Sequence, residues 1–293
     1  MRDGLAALLF APPCFKIAKV FQLFDLSEIN QIFMLYGLKL VALGAVTLPA
    51  TLLILLCGLF DSHGKLAYPI SRFWSWLILT VGGVSLRVNG LNHIDPRRQY
   101  VFMVNHQSNI DIPVLFQSLP GFQLRWLAKK EMLWVPFLGW AMWAARHIAV
   151  DRGDRNDALR SLKKAQERMA GGISIVIFPE GTRSPDGALL PFKRGGFLLA
   201  VKTQTPIVPV AINGSGKILA KGDWRLRPGE IQVTVGTPVS AEGDGAKNLR
   251  ALSTRVRDLI AANLDPAVQT TERKNYRMQT AAETHSPLNK RAV

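Results

Sequence analysis

Two short stretches of this chain carry side chains that can move a proton and hold an anion. Asn105-His106-Gln107-Ser108-Asn109-Ile110-Asp111 sets an imidazole and a carboxylate five residues apart. In one uninterrupted helix five residues turn through roughly 500°, which leaves the two side chains about 140° apart and unable to pair. If His106 instead sits in a strand-to-helix turn and Asp111 one turn into the helix, the carboxylate can accept from one imidazole nitrogen. The other nitrogen is then free to take a proton, as in a His-carboxylate dyad. Ordinary loop and cap residues would show the same spacing, so this window alone leaves both readings open.

The second stretch is Phe178-Pro179-Glu180-Gly181-Thr182-Arg183-Ser184. Gly181 lets the backbone approach a ligand closely. Arg183 can grip phosphate oxygens bidentately, and the Thr182 and Ser184 hydroxyls can add donors. Glu180 makes no sense as a phosphate contact and reads instead as orienting Arg183 or a ligand hydroxyl. A salt-bridged turn is the plain alternative. Two further cation positions accompany it. Lys193 and Arg194 precede Gly195-Gly196 and a predicted helix start, where unpaired N–H groups favour an anion, and Arg152 follows Asp151 at the end of a predicted strand. One account joins these residues: a neutral His106 removes a proton from a hydroxyl while cations hold a phosphate nearby. Gly214-Ser215-Gly216-Lys217 has neither the spacing nor the glycines of a nucleotide loop, and no serine elbow is present. Trp134 to Trp143 and Leu189 to Phe197 either line an apolar groove for a chain-like substrate or are core aromatics.

The elements that must position these groups read as a largely parallel α/β sheet. Tyr100 to Val104 is an apolar strand ending where the first motif begins, and Ile112 to Leu119 is the helix after it. Ser85 to Asn89, Leu124 to Ala128, His147 to Val150, Ser174 to Phe178, Ile207 to Ile212 and Gln232 to Val235 complete the predicted strands. Helical segments at 132–145, 154–170, 197–202 and 246–262 alternate with them, and strands separated by helices argue for parallel pairing. Open α/β sheets place their chemistry at the carboxyl ends of strands.

The chain has 293 residues, 48% hydrophobic, with 36 Lys and Arg against 21 Asp and Glu for a net charge of +15. Residues 1–60 hold Arg2, Lys16, Lys19 and Lys39 against Asp3, Asp25 and Glu28, so the basic character belongs to the remainder. No zinc finger, recognition helix or aromatic-sheet signature accompanies it, which favours anionic lipid or an anionic substrate over nucleic acid. Leu40 to Phe60 is free of charge for 21 residues, long enough to cross a bilayer as a helix. Residues 30–86 are therefore expected to form a membrane-associated helical hairpin that dips into one leaflet or spans twice. The expected organisation is a membrane-anchoring region over 1–84, a folded domain over 85–264 and a disordered tail over 265–293. Cys14 and Cys57 alone make a disulfide framework or a thiolate metal site unexpected.

The two motifs, in this order, resemble those of the glycerolipid acyltransferase family. Gly139 through Asp151-Arg152 is similar to the family's second block and Ile207 to Ile212 to its fourth, so the resemblance covers roughly residues 85–240. It implies that His106 is the general base on the free sn-2 hydroxyl of lysophosphatidic acid, oriented by Asp111, and that phosphatidic acid is the product. It also implies that Arg152, Glu180, Gly181 and Arg183 bind phosphate and position glycerol, with Lys193 and Thr182 beside them. The acyl donor would be acyl carrier protein or CoA in thioester form, with no metal and no bound cofactor. The N-terminal helices would anchor the protein to a bacterial inner membrane, catalytic domain on the cytoplasmic side. His147 stands where the family's pattern leads us to expect a small residue. Another lysolipid, such as a lysophospholipid or a lyso-ornithine lipid, is the alternative acceptor.

Overall fold

The computed structural model describes residues 26–151, 153–242, 248–266 and 268. Its strands are β1 (Val84–Asn89), β2 (Val101–Val104), β3 (Leu124–Lys129), β4 (Ile148–Val150), β5 (Ser174–Ile177), β6 (Ile207–Asn213) and β7 (Gly229–Val235). They form one sheet in the order β1-β7-β6-β2-β5-β3-β4. β2 pairs in parallel with β5 on one side and β6 on the other, β3 in parallel with β5 and β4, and β1 in parallel with β7. The β6 to β7 pairing is antiparallel. Every residue of β2, β5 and β6 is buried, as strands covered on both faces require, whereas β1 alternates between half-buried and exposed.

The helices are α1 (Leu26–Phe60), α2 (Ala67–Gly82), α3 (Asp111–Ser118), α4 (Leu138–Ala144), α5 (Arg155–Ala170), α6 (Arg194–Thr203), the single turn α7 (Ser215–Ile218) and α8 (Leu249–Ala261). On one sheet face Val101, Met103, Ile175 and Ile177 pack with Ala165 and Met169 of α5, Phe197 of α6 and Val256 of α8. On the other, Phe102 meets Tyr100 and Phe122, while Phe116 of α3 lies between Trp126 and Tyr68 of α2. Gln117 Nε2 also donates to the Arg72 carbonyl at 2.6 Å, tying α2 to α3.

By its contacts the chain divides into two units, residues 1–44 and 45–293. The described part of the first is the opening of α1, where Lys39 Nζ lies 5.7 Å from the Tyr36 ring centroid. Met34–Phe60 is long and apolar enough to cross a membrane by length and composition, with Pro49 inside the helix. The turn after α1 is held by three arginines. Arg125, 1% exposed, donates from Nη2 to the His63 and Gly64 carbonyls at 3.0 and 2.7 Å and from Nη1 to Leu124 O at 2.7 Å. Arg146 reaches Gly58 O at 2.9 Å and Arg168 reaches Ser62 O at 3.1 Å.

Three expectations shift. The single helix over 132–145 is instead a 3₁₀ turn over Lys130–Trp134 followed by α4. Pro136 supplies no N–H and disfavours helical backbone before it, and Val135 is extended at φ −73°, ψ 117°. α6 begins at Arg194, so both glycines lie within it. Leu189 and Phe197 belong to the core, in line with the second of the two readings, whereas Trp134, Trp140 and Trp143 are exposed. Most of the expected tail, residues 267 and 269–293, lies outside the described residues, as do 243–247 near the closing helix.

Candidate active site

β2 ends at Val104, and Asn105 converts that ending into a turn. Its Oδ1 accepts from Ile212 N–H at 2.7 Å and its Nδ2 donates to Ile212 O at 2.9 Å. The buried amide thus substitutes for one more pair of sheet hydrogen bonds and frees the backbone of the next residue to leave the strand. His106 follows directly, and α3 opens at Asp111.

His106 Nδ1 lies 2.8 Å from Asp111 Oδ2. The same oxygen accepts the backbone N–H groups of Gln107 and Ser108, each at 2.9 Å. Asp111 is fully buried, and its Oδ1 has no partner among the described residues. One carboxylate oxygen therefore gathers three donors, which offsets the cost of burying the charge and fixes the turn that brings the imidazole back. With Nδ1 donating to Asp111, Nε2 carries the free lone pair. The His106 side chain keeps 15% of its surface exposed and stacks on Phe178 with ring centroids 3.8 Å apart and planes 12° from parallel.

The second motif is tied to the first through the backbone. Glu180 Oε1 accepts from His106 N–H at 2.8 Å and Oε2 from Leu190 N–H at 2.9 Å. Ser184 N–H donates to His106 O at 2.7 Å. The expectation that Glu180 orients Arg183 gives way to this arrangement: its buried carboxylate is directed at two amides. Burial pushes the Glu180 carboxyl up to about 7, against the lowering effect of those two N–H bonds. Gly181 turns at φ +75°, a conformation open to glycine at little cost.

Arg183 is half-buried, and no side chain among the described residues bonds its guanidinium; its carbonyl accepts from Lys221 Nζ at 2.9 Å. Thr182 and Lys193 are exposed, and Lys193 N–H donates to Pro179 O at 2.8 Å, which brings the start of α6 against the same turn. Arg152 lies outside the described residues. The structure therefore brings His106, Asp111, Glu180, Gly181, Arg183 and Lys193 to the carboxyl ends of β2 and β5. Among the described residues no group of three or more His, Cys, Asp or Glu is gathered as a metal site requires.

Several neighbours had no role in the sequence reading. Phe178 is the platform under the imidazole, and Asn105 is the hinge before it. A cavity of about 220 Å³ is lined by Gln107, Ser184, Gly187, Lys217 and Lys221. Lys217 in α7 and Lys221 just beyond it follow β6, which is adjacent to β2 in the sheet, a neighbour relation that only the strand order discloses. His147 is half-buried against β3: its Nδ1 accepts from the Trp126 backbone N–H at 3.2 Å and its ring meets Trp126 edge-on.

An acyltransferase family model matches residues 85–213, which contain both motifs. A 1-acyl-sn-glycerol-3-phosphate acyltransferase of Pseudomonas aeruginosa is 38% identical over 196 residues, covering 66% of this chain and 74% of that protein. The alpha form from Homo sapiens is 39% identical over 176 residues, 60% of this chain, and the match spans 62% of that protein's own length. The crystal structure of a 1-acyl-sn-glycerophosphate (LPA) acyltransferase from Thermotoga maritima superposes with a TM-score of 0.66 at 25% identity, covering 79% of this chain and 93% of that one. With both motifs inside the matched region and a relative of this identity covered over most of its length, the chain belongs to the glycerolipid acyltransferase family.

Proposed function

We propose that this protein transfers an acyl group from a thioester donor, acyl-ACP or acyl-CoA, to the free sn-2 hydroxyl of lysophosphatidic acid, giving phosphatidic acid. The observation that carries the reading is the His106 Nδ1 to Asp111 Oδ2 contact of 2.8 Å beside a turn bearing an available guanidinium. Nε2 takes the proton of the acceptor hydroxyl as its oxygen attacks the thioester carbonyl. Asp111 steadies the imidazolium that forms. The tetrahedral centre collapses with cleavage of the C–S bond, and the departing sulfur takes the proton from Nε2, returning His106 to its starting form. The acyl group passes directly between substrates, so no acyl-enzyme is required. Arg183, with Lys193, Thr182 and Arg152, holds the phosphate and thereby sets the distance from hydroxyl to imidazole. Glu180 and Gly181 shape the turn that carries Arg183.

The apolar α1 and the basic remainder suit a protein bound to the bacterial inner membrane, with the catalytic domain on the anionic cytoplasmic side. The names of the relatives support lysophosphatidic acid as acceptor. The test offers membrane-reconstituted protein lysophosphatidic acid and neutral lysolipids in competition, with each donor in turn. Preferential formation of phosphatidic acid is expected. Equal use of phosphate-free lysolipids would remove the phosphate-binding role, and no transfer to any lysolipid would remove the enzyme reading.

A further inference from the structure

The connection from β3 to β4 leaves the sheet beside the candidate site and does something unusual for a surface segment. Within ten residues it turns six large apolar side chains outward: Trp134, Val135, Phe137, Leu138, Trp140 and Trp143, with Trp134 80% and Trp143 57% exposed. Three of the chain's seven tryptophans are in this segment. Scattered exposed apolar residues need no explanation, whereas a contiguous patch of this kind marks an interaction surface.

We propose that residues 134–143 form a second membrane-contacting element, inserted at the headgroup and upper acyl level of one leaflet. Three observations select a lipid surface as the occupant. The first is continuity with α1. Ile54 and Leu55 of α1 pack with Ala141, Ala144 and Ala145, and the helices approach so closely that a Cβ on Gly58 would lie 2.8 Å from Ala144 Cβ. The neighbouring stretch of α1 exposes Leu48, Leu52, Leu53, Leu56, Leu59 and Phe60, so the patch extends an apolar surface that has the length and composition of a membrane segment. The second is residue type. Tryptophan flanked by cations is the composition of the membrane interface, where the indole sits at headgroup level. Lys129 and Lys130 precede the patch, and the Arg146 guanidinium lies 5.3 Å from the Trp143 ring at its end.

The third is backbone conformation. Phe137 is held at φ +63°, ψ −52°, a costly conformation for a residue with a Cβ, and its ring meets Trp140 edge-on at 5.2 Å. The turn at Phe137 leaves Val135, Phe137 and Trp140 exposed. β3 and β5 run parallel, so the patch springs from the same sheet edge that carries Glu180 and, one strand further, His106. An inserted patch turns that edge toward lipid. This inference stands on surface geometry and does not rest on the acyl-transfer reading.

The test is made on the full chain with Cys14→Ser and Cys57→Ser, carrying a single cysteine introduced by Trp134→Cys or Trp140→Cys and labelled with NBD. Arg250→Cys, on the exposed side of α8, is the reference position. In phosphatidylcholine and phosphatidylglycerol vesicles, labels at 134 and 140 are expected to shift to the blue. They should be quenched by lipid-borne doxyl groups and show iodide quenching at least about threefold weaker than the label at 250. Iodide quenching equal to that at 250 would overturn the proposal. So would shielding from iodide without doxyl quenching, which would assign the patch to a second copy of the chain or another protein.

Discussion

Glu180 grips His106 by its backbone: Oε1 accepts from the His106 N–H at 2.8 Å, while the imidazole Nδ1 goes to Asp111. Two buried carboxylates thus fix one histidine, one through the main chain and one through the ring. They differ in environment. Asp111 Oδ2 gathers three donors, whereas each Glu180 oxygen has one, and burial holds the Glu180 carboxyl at about 7.

The sign of the resulting pH dependence follows from linkage. Below about 4.5 Glu180 is protonated in both folded and unfolded chains. Between about 4.5 and about 7 the unfolded chain ionises while the folded one keeps its proton, so stability declines as pH rises through that window and levels off above it. Denaturant unfolding in micelles of wild type and Glu180→Gln, at pH 5 and pH 8, isolates the effect, because other groups cancel in the difference. The wild type should lose more stability than the variant between the two pH values. Parallel behaviour would show that Glu180 titrates as it does in the unfolded chain.

His106→Ala should lower acyl transfer by about 10²-fold to 10⁴-fold with unfolding little changed, because it removes the proposed proton acceptor and leaves the turn's backbone bonds in place. Asp111→Asn separates charge from geometry. An amide can put its oxygen where Oδ2 stands and its NH₂ where Oδ1 has no partner, preserving all three donors. The variant should therefore fold and still lose activity by about 10²-fold or more, since the imidazolium is no longer countered. Asp111→Ala should lose stability as well. Near-normal turnover in Asp111→Asn would deny the carboxylate any electrostatic part.

Much of this site was legible in the residues. A pairing of His106 with Asp111 across five residues called for a turn and not a single helix, and the apolar runs at 100–104 and 174–178 marked two strands. What the residues could not disclose was which strands lie side by side. β5 sits between β2 and β3, and β6 on the other flank of β2, so Glu180 meets His106 across 74 positions of sequence and Lys221 meets Arg183 across 38. Glu180 looked like a partner for the nearest cation because local charge pairing is visible in a sequence, whereas a bond to a distant amide is not. The same limit hid Arg125, whose acceptors lie at the turn after α1.

Asn105 is the clearest product of that strand order. It is buried, and it matches Ile212 as donor and acceptor at once. Asn105→Ala should cost about 2 to 4 kcal/mol, because it strands a buried N–H and a buried C=O. Asn105→Asp should be no better, since a carboxylate cannot donate to Ile212 O. Both should also reduce turnover, because the displaced residue immediately precedes His106. Thermal unfolding of these variants equal to wild type would show the amide to be dispensable.

Arg183 tests the acceptor end of the proposed site. Arg183→Ala should raise KM for lysophosphatidic acid by about tenfold or more, with a smaller change in kcat, if its interaction is with phosphate in both ground and transition states. Arg183→Lys keeps the charge and loses the planar fork, so it should recover only part of that loss. Full recovery would reduce Arg183 to a source of positive potential, and an unchanged KM in Arg183→Ala would remove it from the phosphate site.

His147 departs from the family's pattern, and its environment explains how the fold accommodates it. The half-buried ring lies against Trp126 of β3, where Nδ1 accepts from the Trp126 backbone N–H and so must remain unprotonated. Burial, and then the Arg125 charge, push it down to about 3. As pH falls below about 6.5 the unfolded chain binds a proton here that the folded chain refuses, so stability declines with acidification through this residue. Imidazole NMR should show the His147 ring, assigned by the loss of its signal in His147→Phe, still neutral near pH 5. If that ring titrates near the ordinary value, the hydrogen bond to Trp126 is not maintained and the ring has water around it.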